Sequence, residues 1–221
     1  MKRAAVPLLA GLLLAGCTST ADEPAAVVIT PSNTTGFAGT SLDEPLPKPD
    51  VTLTDTKGED FNIAEDTKGR VTALYIGYTH CPDVCPTTMA DLSVAMGELP
   101  EDVADQVDVV FITTDPDRDT PKAIGKWLSS FTWDQTTGLT GDFADIKSAS
   151  DTVGIFIDPP VKNKDGTITV EHGAQVILFG KDDQSDLIFT SGFQPEDVAH
   201  DLQRLVEEQE VGCRAQHLGE G

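Results

Sequence analysis

Tyr78-Thr79-His80-Cys81-Pro82-Asp83-Val84-Cys85-Pro86 places two cysteines four residues apart, and the residues flanking this stretch decide the kind of fold that carries it. Before it, Val71-Thr72-Ala73-Leu74-Tyr75-Ile76-Gly77-Tyr78 is apolar and β-favouring, the pattern of a strand buried on both faces. After it, Met89, Leu92, Met96 and Leu99 recur at helical spacing and predict a helix over about 87–98. The cysteines therefore sit at a strand-to-helix junction, where positions i and i+4 share a face. Unpaired N–H groups at a helix N-terminus stabilise thiolate. Pro82 and Pro86 stiffen the turn, and the regular helix is predicted to begin near Pro86.

Outward from this junction the chain alternates strands and helices. Val51-Thr52-Leu53 and Phe61-Asn62-Ile63 flank Asp55-Thr56-Lys57-Gly58, an N-terminal β-hairpin with Gly at its turn. Val107–Thr113 reads as a second buried strand. Thr120-Pro121 opens a helix through Ile124, Trp127 and Leu128, with Thr as N-cap and Pro at the first helical position. A shorter helix is predicted over 142–152, then a strand over 153–157 ended by Pro159-Pro160. Thr167–Val170 forms part of a hairpin insertion before His172. Ala174–Phe179 and Leu187–Phe189 pair across a turn, and Pro195 opens a terminal helix carrying Val198, Leu202, Leu205 and Val206. This order predicts an α/β, thioredoxin-like fold: a mixed central sheet flanked by helices.

The N-terminus points to export. Lys2 and Arg3 precede an apolar run from Ala4 to Ala15, too short to span a bilayer, ending in Leu14-Ala15-Gly16-Cys17. That ending resembles the bacterial lipoprotein cleavage box, in which the cysteine becomes the lipidated first residue. The predicted organisation is a signal peptide at 1–16, a flexible tether rich in Ala, Thr, Ser and Pro at 17–49, a folded domain at 50–209 and a disordered tail at 210–221. The protein is thus expected on the extracytoplasmic face of a bacterial cell membrane, held there by a lipid anchor. Loss of the two leader cations takes the formal net charge from −22 to −24. Such a surface repels phosphates and argues against nucleic acid as a partner.

Cys81 and Cys85 pair locally, Cys17 is accounted for by lipidation, and Cys213 lies in the polar tail as a free thiol or an intermolecular bridge. Thiolate serves disulfide exchange and metal binding equally, so Cys81 and Cys85 are candidates for a redox pair and for metal ligands. The three intervening residues are one more than in thioredoxin-type catalysts, although the spacing still permits a disulfide. Of the histidines, His80 adjoins Cys81 and is expected to point to the opposite face. His200 reads as a surface residue and His217 lies in the tail. His172 directly precedes a core strand, where a thioredoxin-like topology carries a loop across to the cysteine helix. Two thiolates and a neutral imidazole suit copper, as Cu(I) and as Cu(II). With zinc the same set would leave an open position.

A second motif, Asp115-Pro116-Asp117-Arg118-Asp119-Thr120-Pro121, follows the second buried strand and faces the same edge of the sheet. There Arg118 is placed to pair with Asp115 or Asp119, and Asp115 to orient a ligand or partner. An acidic turn with a helix cap accounts for Asp119-Thr120-Pro121 equally well.

Taken together, the Tyr78–Thr88 stretch, the Asp115–Pro121 motif and His172 before an apolar strand resemble the Sco/SenC family of copper chaperones, over roughly 45–209. The resemblance implies a thioredoxin-like fold with Cys81, Cys85 and His172 as copper ligands. It also implies a role in assembling the binuclear copper centre of cytochrome c oxidase subunit II, by delivering copper, by reducing that subunit's cysteines, or both. A thiol–disulfide oxidoreductase with no obligatory metal is the alternative, and it needs the two cysteines but not His172.

Overall fold

The computed structural model describes residues 36–217 apart from 132 and 134, and only the backbone of 186 and of 209–217. The expected leader, Cys17, the tether up to residue 35, the Cys213 side chain and residues 218–221 lie outside this description. No helix among the described residues is long and apolar enough to cross a membrane.

Among the described residues, ten strands and six helices follow in the order β1 (Thr40–Pro47), β2 (Thr52–Asp55), β3 (Asp60–Asn62), α1 (Ile63–Asp66), β4 (Val71–Gly77), α2 (Val84–Glu98), α3 (Glu101–Ala104), β5 (Val107–Thr113), α4 (Pro121–Leu128), β6 (Thr136–Thr140), α5 (Phe143–Thr152), β7 (Val161–Lys162), β8 (Ile168–Thr169), β9 (Val176–Phe179), β10 (Gln184–Phe189) and α6 (Pro195–His217). Eight strands form one sheet in the order β1-β10-β9-β4-β5-β6-β2-β3. The pairs β4–β5 and β5–β6 are parallel, whereas β4–β9, β9–β10 and β10–β1 are antiparallel. The small β7–β8 hairpin stands apart, immediately before His172. This is the thioredoxin-like architecture.

Strand β4 is buried at every position because helices cover both faces. Val71, Ala73 and Tyr75 pack with Met89, Leu92 and Met96 of α2 and with Val198 and Leu202 of α6. Leu74 and Ile76 point the other way, toward Ile63 of α1 and Ile146 and Ala149 of α5. Sandwiched between two cores, β4 fixes the height and direction of the cysteine turn at its end.

Four local differences separate the structure from the sequence expectation. The tether expected to run to residue 49 contributes β1, paired with β10 along the edge of the sheet. Pro45 and Pro47 are tolerated there because an edge strand leaves one row of N–H groups unpaired, and the register shifts between Ser41 and Leu46. Strand β6 was not anticipated. Gly138 interrupts its pattern, yet a Cβ there would lie 2.4 Å from Ile124 Cγ2 and 2.6 Å from Leu128 Cδ1, so glycine is what lets α4 close onto the sheet. Residues 153–157 do not form the predicted strand. The Ile155 N–H donates to Ser150 O at 3.0 Å and its carbonyl accepts from the Ser150 hydroxyl, which turns the segment back onto α5, and only Ile157 bridges to His172. Finally, α6 continues to His217, past the expected domain end at 209.

Candidate metal centre

Helix α2 begins at Val84, two residues earlier than predicted, which places Cys85 in its first turn. Pro86 is no obstacle there, since first-turn N–H groups have no intrahelical acceptor. Asp83 makes no side-chain cap. The Cys81 sulfur takes that role instead, accepting the Cys85 N–H at 3.3 Å. Cys81 is half-buried and Cys85 fully buried, and both are free thiols. The close approach of Cys85 to the end of β4 depends on Gly77, where a Cβ would lie 3.0 Å from the Cys85 Sγ.

His172 reaches the pair from the opposite side. The single bridge to Ile157 holds its backbone, and its Nδ1 lies 2.7 Å from the Gly173 carbonyl. A carbonyl only accepts, so Nδ1 carries the proton and the Nε2 lone pair is free. That Nε2 lies 3.6 Å from the Cys85 Sγ. A Cβ on Gly173 would meet Gln175 Oε1 at 2.4 Å and Ile155 Cγ2 at 3.2 Å, so the tight path of this loop also needs glycine. One ligand atom from each of Cys81, Cys85 and His172 lies within 4.8 Å of the other two. The ring of Tyr78 packs edge-on against His172 with centroids 5.5 Å apart. A cleft of about 480 Å³ opens over the set, with Tyr78, Asp83, Phe156 and Glu171 among its walls.

The two thiols differ in character. Burial pushes Cys85 up to about 12. At Cys81 burial also opposes ionisation, but hydrogen bonds from the N–H groups of Asp83 and Cys85 outweigh it and bring the thiol below its ordinary value. Burial lowers His172, against the smaller opposing pull of the Gly173 and Ile76 carbonyls, so its imidazole stays neutral at pH values where an exposed histidine begins to protonate. The arrangement offers one thiol eased toward ionisation, one buried thiol and a neutral imidazole nitrogen around one point.

The Asp115–Pro121 motif braces this site from the side. Arg118 pairs with Asp115, with its Nε 2.5 Å from Oδ2, and Asp115 is 1 % exposed, so its contacts are internal. Asp119 is 0 % exposed and plays a part the sequence reading missed. It accepts from Thr79 N at 2.8 Å, Thr79 Oγ1 at 2.5 Å and Thr113 Oγ1 at 2.6 Å, tying the cysteine turn to the end of β5. Thr120 caps α4 as predicted, accepting from Ala123 N at 3.3 Å. His80 turns away from Cys81 to Asp119 Oδ1 at 3.3 Å. His80, Asp115 and Asp119 also lie close together, with three donors on Asp119 and the Arg118 guanidinium on Asp115 Oδ2, while the buried Asp115 Oδ1 has no hydrogen-bond partner. No spacing rule links Asp119 to a threonine forty positions earlier, so only the proximity of β4 and β5 ends could have revealed it.

Residues 41–207 match the SCO1/SenC family model. Among relatives, the chain is 35 % identical over 108 residues to Protein SCO2, mitochondrial, of Saccharomyces cerevisiae, covering 49 % of this chain and 35 % of that one. The chain spans between about a third and just under two thirds of the length of the curated relatives it matches. The structure of Bradyrhizobium japonicum ScoI with copper bound is 36 % identical, with a TM-score of 0.63 over 73 % of this chain and 98 % of that one. A SCO1/SenC family lipoprotein from Bacillus anthracis is 27 % identical, with a TM-score of 0.62 over 76 % of this chain and all of that one. With a family model spanning the sheet, the cysteine turn and the His172 loop alike, the chain belongs to the SCO1/SenC family.

Proposed function

We propose that this protein is a membrane-tethered copper chaperone that holds one copper ion between Cys81 Sγ, Cys85 Sγ and His172 Nε2. The observation that carries the reading is the convergence of those three atoms within 4.8 Å from two segments nearly ninety residues apart. The donor set fits the ion: soft thiolates favour Cu(I), and the added imidazole admits Cu(II). Copper is the cargo here. The chain's own part is to keep His172 Nε2 deprotonated through the Gly173 carbonyl, to ease ionisation of Cys81 through the Cys85 N–H, and to leave one side open through the cleft. The copper-bound relative from Bradyrhizobium japonicum supports the cargo. The acceptor is the binuclear copper site of cytochrome c oxidase subunit II, as the family resemblance implies. The leader, Cys17 and the Bacillus anthracis lipoprotein support lipid anchoring on the extracytoplasmic face.

Titration of the reduced soluble domain with copper is expected to show tight binding of one ion with a sulfur-to-copper absorption band. In His172→Ala the affinity is expected to fall by at least the roughly 10–100-fold that losing a mere hydrogen-bond partner of a ligand costs, and the band to move. Unchanged binding in that variant would remove His172 from the ligand set.

A second reading is favoured by the unequal cysteines. The Cys81 thiolate, half-exposed at the cleft, attacks a partner disulfide to form a mixed disulfide. The Cys85 thiol gives its proton to the partner's released first thiolate and then displaces the second, leaving Cys81–Cys85 oxidised and the partner reduced by two electrons. Full rescue of a deletion strain by His172→Ala would favour this reading over copper delivery.

A further inference from the structure

Four large apolar side chains are exposed among the described residues, and two of them, Val84 at 38 % and Phe156 at 57 %, stand in the walls of the cleft over Cys81 and His172. Phe156 is the one aromatic of the four. Its backbone is firmly mounted. The Phe156 carbonyl accepts the Gly173 N–H at 2.8 Å, and Ile155 and Ile157 on either side are buried in the core. The ring therefore projects into water from a fixed point beside His172. An aromatic side chain held in this way gives up little freedom when a partner covers it, which is what an interface anchor requires.

Asp83 and Glu171, both exposed, complete the rim, and among the described residues no lysine or arginine lines the cleft. An apolar ring beside two negative charges selects a surface that sets a basic side chain next to an apolar one. The same charges disfavour an anionic lipid surface, and a second copy of this chain, at a formal net charge of −22, would also be repelled. Cys85 is fully buried and Cys81 half-buried, so whatever exchanges copper or electrons with the pair reaches it through Cys81, past this rim.

We propose that Phe156, with Val84, Asp83 and Glu171, forms the docking face for the partner protein. Phe156 seats an apolar side chain, and the carboxylates seat a Lys or Arg, beside the partner's reactive sulfur. The proposal rests on the reading that a partner comes to Cys81, which copper delivery and thiol reduction both require, and its test uses no metal.

The probe is a short peptide whose one cysteine, blocked as its thionitrobenzoate disulfide, stands between Lys and Leu. The Cys81 thiolate bonds to the peptide sulfur as the thionitrobenzoate anion leaves, and the absorbance of that anion gives the rate. The reduced full-length protein carries Cys17→Ser and Cys213→Ser, so that only Cys81 and Cys85 react. Each rate is divided by that with 2-hydroxyethyl disulfide, an uncharged probe too small to dock, which removes any change in the thiol itself. The protein is expected to react about tenfold faster with this peptide than with twins bearing Glu for Lys or Ser for Leu. Phe156→Ser is expected to abolish the preference for Leu and keep that for Lys, and Asp83→Asn with Glu171→Gln to do the reverse. Glu101→Gln with Asp102→Asn removes the same charge from α3, at the opposite end of the parallel strands from the cysteines, and is expected to leave both preferences. Equal rates for the three peptides, or preferences that survive in the Phe156 and carboxylate variants, overturn the docking face. Binding to phosphatidylglycerol vesicles, or dimerisation, that Phe156→Ser abolishes would overturn it too, by giving the face to a membrane or to a second copy. If copper titration fails while the preferences hold, the chaperone reading falls and the docking face stands. If copper binds and the preferences are absent, only the docking face falls.

Discussion

Gly77 shows how much of the centre depends on an atom that is missing. A Cβ there would stand 3.0 Å from Cys85 Sγ, 3.0 Å from Tyr75 Cε1 and 3.4 Å from Phe111 Cε2. All three neighbours are buried and packed, so none can withdraw without disturbing the layer beneath it. Gly77→Ala is therefore expected to cost about 1–3 kcal/mol of stability by overpacking, and to push the Cys85 sulfur from its place opposite His172 Nε2. Gly138→Ala is the control, since its Cβ would collide with Ile124 and Leu128 of α4, away from the cysteines. Urea unfolding should show both variants destabilised, but only Gly77→Ala should weaken copper binding and move its absorption band. Equal copper binding in the two would mean that the sulfur tolerates displacement. The sequence marked Cys81, Cys85 and His172, because chemistry restricts which side chains can serve. It did not mark the need for glycine at 77 and 173, nor the hydrogen bonds of Asp119 to Thr79 and Thr113, because no local spacing rule predicts those contacts.

At the scale of elements, strands with both faces buried and the β2–β3 hairpin were legible, whereas the edge strand β1 and the glycine-interrupted β6 were not. The apolar runs of β4, β5 and β9 announce themselves, as do the stripes of α2 and α6, because burial demands apolar side chains at each such position. Strand β1 has one unpaired edge and a mostly polar sequence with two prolines, so it reads as linker. Its attachment depends instead on Lys48, which is 5 % exposed just beyond its end. The Lys48 ammonium donates to Thr67 O at 2.9 Å, Arg70 O at 3.2 Å and Asp183 Oδ1 at 2.8 Å, joining β1 to the approach to β4 and to the β9–β10 turn. Lys48→Ala takes a donor from two carbonyls and from the part-exposed Asp183, whose Oδ1 keeps the Gly69 N–H at 3.1 Å, and a donor lost from such groups costs about 1–3 kcal/mol. We expect a loss of that size in urea denaturation. Hydrogen exchange should also accelerate in Thr40–Pro47 more than in β4. A loss below about 1 kcal/mol would show that backbone pairing alone holds β1.

The whole molecule carries 37 acidic against 15 basic side chains, an imbalance no local motif needs. Some carboxylates are neutralised internally, as in Arg118–Asp115 and Arg70–Asp108. Most of the excess is left to repel itself across the surface of one small domain. At about 0.01 M salt the screening length is about 30 Å, comparable with the size of such a domain, and at about 0.15 M it is about 8 Å. Raising sodium chloride across that range should therefore shift the urea midpoint upward with little change in slope, because repulsion is screened while the surface exposed on unfolding stays the same. A midpoint that falls instead would mean that the ion pairs outweigh the repulsion. The same field acts outward, and Asp83 and Glu171 at the rim of the cleft bring it to the entrance of the metal centre. Copper cations and a basic docking face would both be drawn there, so capture of such a partner should slow as salt rises even while the protein itself becomes more stable. Opposite responses to one variable are what a single long-range charge field produces, whereas a stability set by packing and a partner held by apolar contact would show neither.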